Sequence, residues 1–457
     1  MLFAQIICIR HRYYREIETP KTLIKADDSK YFTQRLDHFD NTNQQTFQQK
    51  FLVNETWYDK KGGVAILQVG GEGPIQQSDV GNLWSADQFS ESMKALNVEL
   101  EHRYYGESIP QPLNYTFLSS RQALADLTEF AAYLKKTYGV TKIITYGGSY
   151  PGNLAGWARS RFPFVFDAAI ASSGPLMGRT KFSEYFQHDE MVLESIQTGC
   201  KDKVKTAMEQ IEDLLLNDKK QAAILLKNEK LATQELTELD ISNIISLLSN
   251  FAGMIQYASE SQQELKDFCA IMMKSTDLKT DYVAWNFEYS GSDDLGPMFY
   301  NEMVEDTKLS SWTWQTCTEF GYFQDSDFFT SRISMDYYYH LCLDAFEPYF
   351  TQAGIKTTTE LKEFMAQVVD GEMNAFYGAR NQPRSKIFYT NGKTDPWSEL
   401  SMNPEFTWAD GQYLPDDSVQ RLIPGSHCSD MRTKWSSNKV VRAEQLRKLK
   451  EWINYQE

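Results

Sequence analysis

From residue 64 onward, short apolar runs alternate with longer stretches of helical period. The runs VAILQV (64–69), NVELEH (97–102), TKIITY (141–146) and FDAAIASS (166–173) read as strands, and the same signal returns in SKIFYTNG (385–392) and SVQRLIPG (418–425). Apolar runs separated by helical stretches predict a parallel sheet covered on both faces. Between residues 178 and 380 the period changes. Val204, Met208, Ile211 and Leu215 fall on one helical face, as do Ile241, Ile244, Ile245, Leu248, Ala252 and Ile255. A last amphipathic helix carries Leu446, Leu449, Trp452 and Ile453. The expected organisation is an α/β core in two parts, residues 31–177 and 381–457. A mostly helical insertion over 178–380 interrupts it, and residues 1–30 form a leader or propeptide.

A length of 457 residues and 42% apolar content suit such a core with an insertion. The net charge of −16 argues against nucleic acid as a partner, since binding a polyanion takes clustered Lys and Arg. No apolar run reaches the roughly 18 residues of a spanning helix. The start, MLFAQIICIRHR, has a short apolar run from Leu2 to Ile9 and no basic segment before it, which makes a marginal signal peptide. Cys8 lies in that leader. Cys200, Cys269, Cys317 and Cys342 all lie in the insertion, without C-x-x-C spacing or neighbouring histidines, so zinc explains them poorly. They fit two disulfides of a secreted protein, and spacing alone allows three connectivities. Two glycosylation sequons, at Asn54 and Asn114, point to the same route.

The candidate chemistry begins in IITYGGSYPGN (143–153), a strand-like run entering a Gly-Gly-Ser before a helix. It resembles the G-x-S-x-G turn that presents a nucleophilic serine, with Pro151 in place of the second glycine. A proline there falls in the first helical turn, where its missing N–H costs nothing, and Gly152 supplies the small residue. Ser149 needs a base, and the chain has six histidines. His11 is in the leader, His38 precedes the core strands, His102 lies on an earlier strand, and His188 and His340 belong to the insertion. His427, in IPGSHCSDMR, follows the last core strand at the carboxyl edge of the sheet, where sites of open α/β folds gather. Asp395, in TNGKTDPW, follows the strand before it. The order Ser149, Asp395, His427 is that of the α/β-hydrolase fold. Glu101 and Arg103 alternate onto one strand face, which reads as a buried structural ion network.

GGSYPG, EHRYYGES (101–108), TNGKTDPW and SHCSDM together resemble the serine peptidase family of lysosomal Pro-X carboxypeptidase and dipeptidyl peptidase II. The GGSYPG and SHC forms are most similar to its thymus-specific serine protease branch. FTQRLDHFDNTNQQTFQQKF (32–51) is similar to that family's start, so the resemblance covers about residue 32 to the C-terminus. It implies an α/β-hydrolase fold with a disulfide-held helical cap, a lysosomal or secreted location, and cleavage near proline. Carried over by position, it implies Ser149 as nucleophile, Asp395 as orienting acid and His427 as base. The oxyanion hole would combine the Tyr150 N–H with that of Gly71 or Glu72 in GGEGP. Trp397 and Tyr150 are the expected walls of a proline pocket, since aromatic faces pack well on a pyrrolidine ring. Arg432 is expected to lower the pKa of His427. Cys428 stands where Pro-X carboxypeptidase has a second histidine. Within the resemblance, the favoured disulfides are Cys317–Cys342 and Cys200–Cys269.

The expected function is thus a serine exopeptidase acting on peptides, either a dipeptidyl peptidase or a Pro-X carboxypeptidase. A lipase or esterase on the same fold, or an inactive hydrolase fold used for binding, are the alternatives. No metal or organic cofactor is implied, because the serine mechanism is self-contained. A homodimer is the default assembly.

Overall fold

The computed structural model describes residues 29–81, 84–292, 295–382, 385–404 and 417–456. The expected leader, with Cys8 and His11, lies outside the described residues. The chain falls into two compact units. One comprises the described residues up to Gly178, then Met373–Lys393 and Trp397–Glu457; the other comprises Arg179–Glu372 with Thr394–Pro396.

The first unit is built on eight strands. They are β1 (Lys30–Arg35), β2 (Thr46–Asn54), β3 (Val64–Val69), β4 (Leu96–Leu100), β5 (Lys142–Gly148), β6 (Ala168–Ser172), β9 (Ile387–Gly392) and β10 (Val419–Ile423). Their order is β1-β2-β4-β3-β5-β6-β9-β10. β1 and β2 run antiparallel at one edge, and every pair from β4 to β10 is parallel. This is the α/β-hydrolase fold. Successive side chains point to opposite faces, so β3 sends Val64 and Ile66 one way and Ala65 and Leu67 the other, all of them buried. Val64 and Ile66 join a cluster with Phe89 of the helix Ser85–Ser92 and with Leu449 and Trp452 of the helix Lys439–Trp452. Helices Ser120–Tyr138 and Tyr150–Arg161 pack on one another and against the sheet.

The pattern of apolar runs did not reveal β1 and β2. Their sequences mix glutamines with aromatics, yet Gln34, Gln49 and Lys50 are buried. The Gln34 amide donates to Gln49 Oε1 at 2.9 Å, which in turn lets Gln49 Nε2 donate to the Glu101 carbonyl at 2.8 Å. Amides of this kind are tolerated inside because each finds hydrogen-bond partners there. The sheet unit also resumes earlier than the pattern predicts, at Met373 rather than near 381. Tyr377 stacks on Trp157 with ring centroids 3.8 Å apart, and its hydroxyl meets Ser120 Oγ at 2.6 Å. Asn374 exchanges two hydrogen bonds with the main chain of Gly178, at 2.9 and 2.8 Å.

The second unit is mostly helical, with one short parallel pair, β7 (Arg179–Lys181) and β8 (Gly321–Phe323). Val204, Met208, Ile211 and Leu215 form the buried face of the helix Cys200–Asn217. The apolar set from Ile241 to Ile255 is split between two helices, Glu238–Leu247 and Asn250–Gln256. Disulfides join Cys200 to Cys269 and Cys317 to Cys342, so the fold selects one of the three connectivities. Among the described residues no helix is long and apolar enough to cross a membrane.

On β4, Glu99 lies in electrostatic range of Asp79, Asp87 and Glu101. Burial pushes the Asp79 carboxyl up to about 6, and burial together with these neighbours pushes Glu99 well above its ordinary range. Glu99 Oε2 is buried with no hydrogen-bond partner among the described residues. Both folded pKa values exceed the unfolded values of about 4. The stability they carry is therefore complete below about pH 4 and is lost as pH rises through about 6 for Asp79, and further up for Glu99. Glu99→Gln should raise Tm at pH 7 by at least about 2 °C and leave it nearly unchanged at pH 4. Calorimetry at the two pH values checks this, and an equal shift at both would refute the assignment.

Candidate active site

β5 passes into the helix Tyr150–Arg161 through a single residue, Ser149, whose φ is +62° and ψ −137°. A non-glycine residue there costs about 1–3 kcal/mol and persists only where its surroundings enforce it. Here they do. The Ser149 N–H donates to the Ser172 carbonyl of β6 at 2.9 Å, and the Ser149 carbonyl accepts from the N–H groups of Gly152 and Asn153 at 2.8 and 3.2 Å. A Cβ on Gly147 would strike the Pro151 carbonyl, and one on Gly152 would stand 2.7 Å from the Ser172 oxygen. Pro151 occupies the first helical turn. Its ring meets the loop after β3: a Cβ on Gly71 would lie 2.6 Å from Pro151 Cγ. The altered elbow and the glycine loop are thus fitted to each other.

His427 lies in the loop after β10 and is buried. Three anchors shape that loop. Cys428 adopts φ +53°, and its N–H donates to Ser173 Oγ at 2.9 Å. Asp430, fully buried, accepts from Ser172 Oγ, and its other oxygen accepts from Gln445 Nε2 at 2.7 Å. The Gln445 amide also reaches Thr390 Oγ1 of β9 at 3.0 Å. Burial holds the Asp430 carboxyl above the usual range. The Met431 and Cys428 sulfurs fill the space a Cβ on Gly148 would need. The Trp397 ring lies 6.5 Å from that of His427. Arg432 places its guanidinium over the Trp435 ring at 4.5 Å, and its main chain bridges to Trp84.

The match to a family model now decides the lineage. The model for serine carboxypeptidase S28 matches residues 34–451. This chain belongs to the S28 family, and it is a serine-type peptidase. It is similar to the human thymus-specific serine protease, with 27% identity over 93% of this chain and 86% of that protein. It is similar to the human lysosomal Pro-X carboxypeptidase, with 27% identity over 93% of this chain and 88% of the relative. Among solved structures, a proline iminopeptidase from Mycobacterium smegmatis superposes with a TM-score of 0.38 and 11% identity, covering 93% of this chain and 98% of that one.

In this S28 peptidase Asp395 is fully buried in the turn after β9 and groups with the helical unit. There its charge acts on Asp189, a fully buried carboxyl on the helix Glu184–Ile196. Burial, then Asp395 and Glu190, push Asp189 well above the carboxylate range. Both its oxygens are buried without a hydrogen-bond partner among the described residues. The helical pattern gave no reason to single it out. Tyr150 is also buried, and its hydroxyl lies 2.9 Å from His102 Nε2. No group of three or more His, Cys, Asp or Glu suited to a metal occurs among the described residues.

Two expectations need correction. Asn54 is 2% exposed, and its amide nitrogen donates to the Val80 carbonyl at 2.7 Å, so a glycan has no room there. Asn114 is exposed, with its side-chain oxygen engaged by Thr116. Glu101 and Arg103 do not form one network, because the strand ends at Leu100. Arg103 makes a buried two-pronged pair with Asp126, both contacts at 2.6 Å, which His38 joins at 2.7 Å. Glu101 instead binds loop N–H groups.

The fit between Gly71 and Pro151 makes a prediction. Gly71→Ala should lower kcat/KM by about 100-fold, the scale expected for displacing reacting groups by an ångström. The double variant Gly71→Ala/Pro151→Ala should recover much of that loss, since it removes the colliding ring atoms. Steady-state kinetics on a peptide reporter decide it, and a double variant as poor as Gly71→Ala would refute the fit.

Proposed function

We propose that this S28 peptidase is a serine exopeptidase that cleaves peptides at proline through Ser149, Asp395 and His427. Ser149 Oγ attacks the scissile carbonyl while His427 takes its proton, and Asp395 orients the imidazole. The N–H of Tyr150 and that of Gly71 or Glu72 donate to the oxyanion. His427 then gives the proton to the leaving amine, and water releases the acyl group by the same steps in reverse. The observation that carries this reading is the enforced conformation of Ser149 between β5 and its helix. The relatives named for Pro-X carboxypeptidase support the preference for proline. The two disulfides suit an oxidising compartment, in keeping with a lysosomal or extracellular location. Trp397 beside His427 supplies an aromatic wall for the proline ring.

A fluorophosphonate probe should label the wild-type chain and fail on Ser149→Ala; absence of labelling in both would indicate an inactive fold used for binding. The direction of attack follows from three peptides at pH 5 and pH 7. They are a free-amine X-Pro reporter, its N-acetylated twin, and a peptide ending in Pro-Phe. Turnover of the first alone marks a dipeptidyl peptidase, and release of phenylalanine alone marks a Pro-X carboxypeptidase. Turnover of none, with Ser149 labelled, would reject proline specificity.

Trp397→Ala should reduce kcat/KM on the accepted proline peptide by about 10-fold more than on its alanine counterpart. Equal losses on the two peptides would remove Trp397 from the pocket.

A further inference from the structure

The segment that leaves β4 carries two adjacent buried polar residues that the triad does not use, Glu101 and His102. We propose that they are positioning residues for the oxyanion hole, with Glu101 fixing the loop that carries Gly71 and Glu72, and His102 fixing Tyr150. The inference rests on the oxyanion assignment made above.

His102 has a defined tautomer. Its Nδ1 lies 2.6 Å from the Arg103 carbonyl, which only accepts, so Nδ1 bears the hydrogen. Nε2 is then an acceptor and takes the Tyr150 hydroxyl at 2.9 Å. A phenol as buried as that of Tyr150 needs such a partner. The helix already holds the Tyr150 main chain, and this bond adds a second anchor at the far end of the side chain. Burial lowers the His102 pKa to about 4, so the ring stays neutral, and able to accept, at pH 5. The groups facing it are the Asp126 carboxylate, which favours protonation, the Arg103 guanidinium, which opposes it, and the rings of Tyr105 and Tyr150 at 5.2 and 5.4 Å.

Glu101 works on the other donor. Its Oε1 accepts from the Ile75 N–H at 3.1 Å, at the end of the glycine loop. Its Oε2 accepts from the Glu107 N–H at 2.9 Å and from Ser108 Oγ at 2.7 Å. Gly106 leaves the space this carboxylate occupies. The segment is pinned in turn by β2: the Glu101 N–H donates to the Lys50 carbonyl at 3.0 Å, and its carbonyl accepts from Gln49 at 2.8 Å. The antiparallel edge thus backs Glu101 and, through it, the glycine loop.

The test compares wild type, His102→Ala, Tyr150→Phe and the double variant, all in the full chain, on the best peptide reporter. Tyr150→Phe keeps the ring and removes only the hydroxyl, so it guards against loss of folding in His102→Ala. Each single variant should lose about 10- to 100-fold in kcat, with KM within about threefold of wild type. The double variant should be no worse than the poorer single one, because both break one bond. Unchanged kcat in Tyr150→Phe, a loss confined to KM, or losses that multiply in the double variant would overturn the inference. Failure of the wild type to label at Ser149 would instead sink the functional reading beneath it.

Discussion

The structure turns on one tight reversal, in which β5 becomes a helix through Ser149 alone. That turn exists only because three main-chain segments come closer than side chains allow. The Pro151 carbonyl stands over Gly147, the Ser172 carbonyl over Gly152, and the Pro151 ring against Gly71. Pro151 fixes both Gly147 and Gly71, and Ser172 of β6 fixes Gly152, so the elbow is a property of β3, β5 and β6 together. Pro151 shows how a departure from the usual turn is absorbed: the helix loses nothing by it, and the glycine loop is shaped to receive its ring.

Buried charge is handled by a second rule, complete local satisfaction. Arg103 spends its donors on Asp126 and on the carbonyls of Leu36, Phe117 and Arg35, so its burial leaves no bare charge. Asp430 is satisfied by Ser172 and Gln445 and ties the His427 loop to β6 and to the C-terminal helix. Asp189 is the contrast, a carboxyl with no hydrogen-bond partner among the described residues, whose burial favours the neutral form. Together with Asp79 and Glu99, it gives the protein several carboxyls better suited to acid than to neutral pH.

Much of the sheet was legible because buried parallel strands read as unbroken apolar runs. The runs at 64–69, 141–146 and 385–392 correspond closely to β3, β5 and β9. β1 and β2 were not, since their inward positions include glutamine and lysine that only cross-strand and loop partners make tolerable. The period from Ile241 to Ile255 gave a correct apolar face but not the break between two helices there. His102 was visible only as a histidine on a strand. Its hydrogen bond to Tyr150 spans 48 positions and has no local signature.

By itself the sequence determined the strand and helix periods, the family, and the candidate residues Ser149, Asp395 and His427. These are encoded in short contiguous motifs whose chemistry or period is local. Tertiary structure alone decided which sequon is buried, that Pro151 seats against Gly71, that His102 meets the Tyr150 hydroxyl, and that Glu101 binds the Ile75 N–H. Each depends on segments distant in the chain meeting at fixed distances, and periodicity and motif spacing carry no record of that.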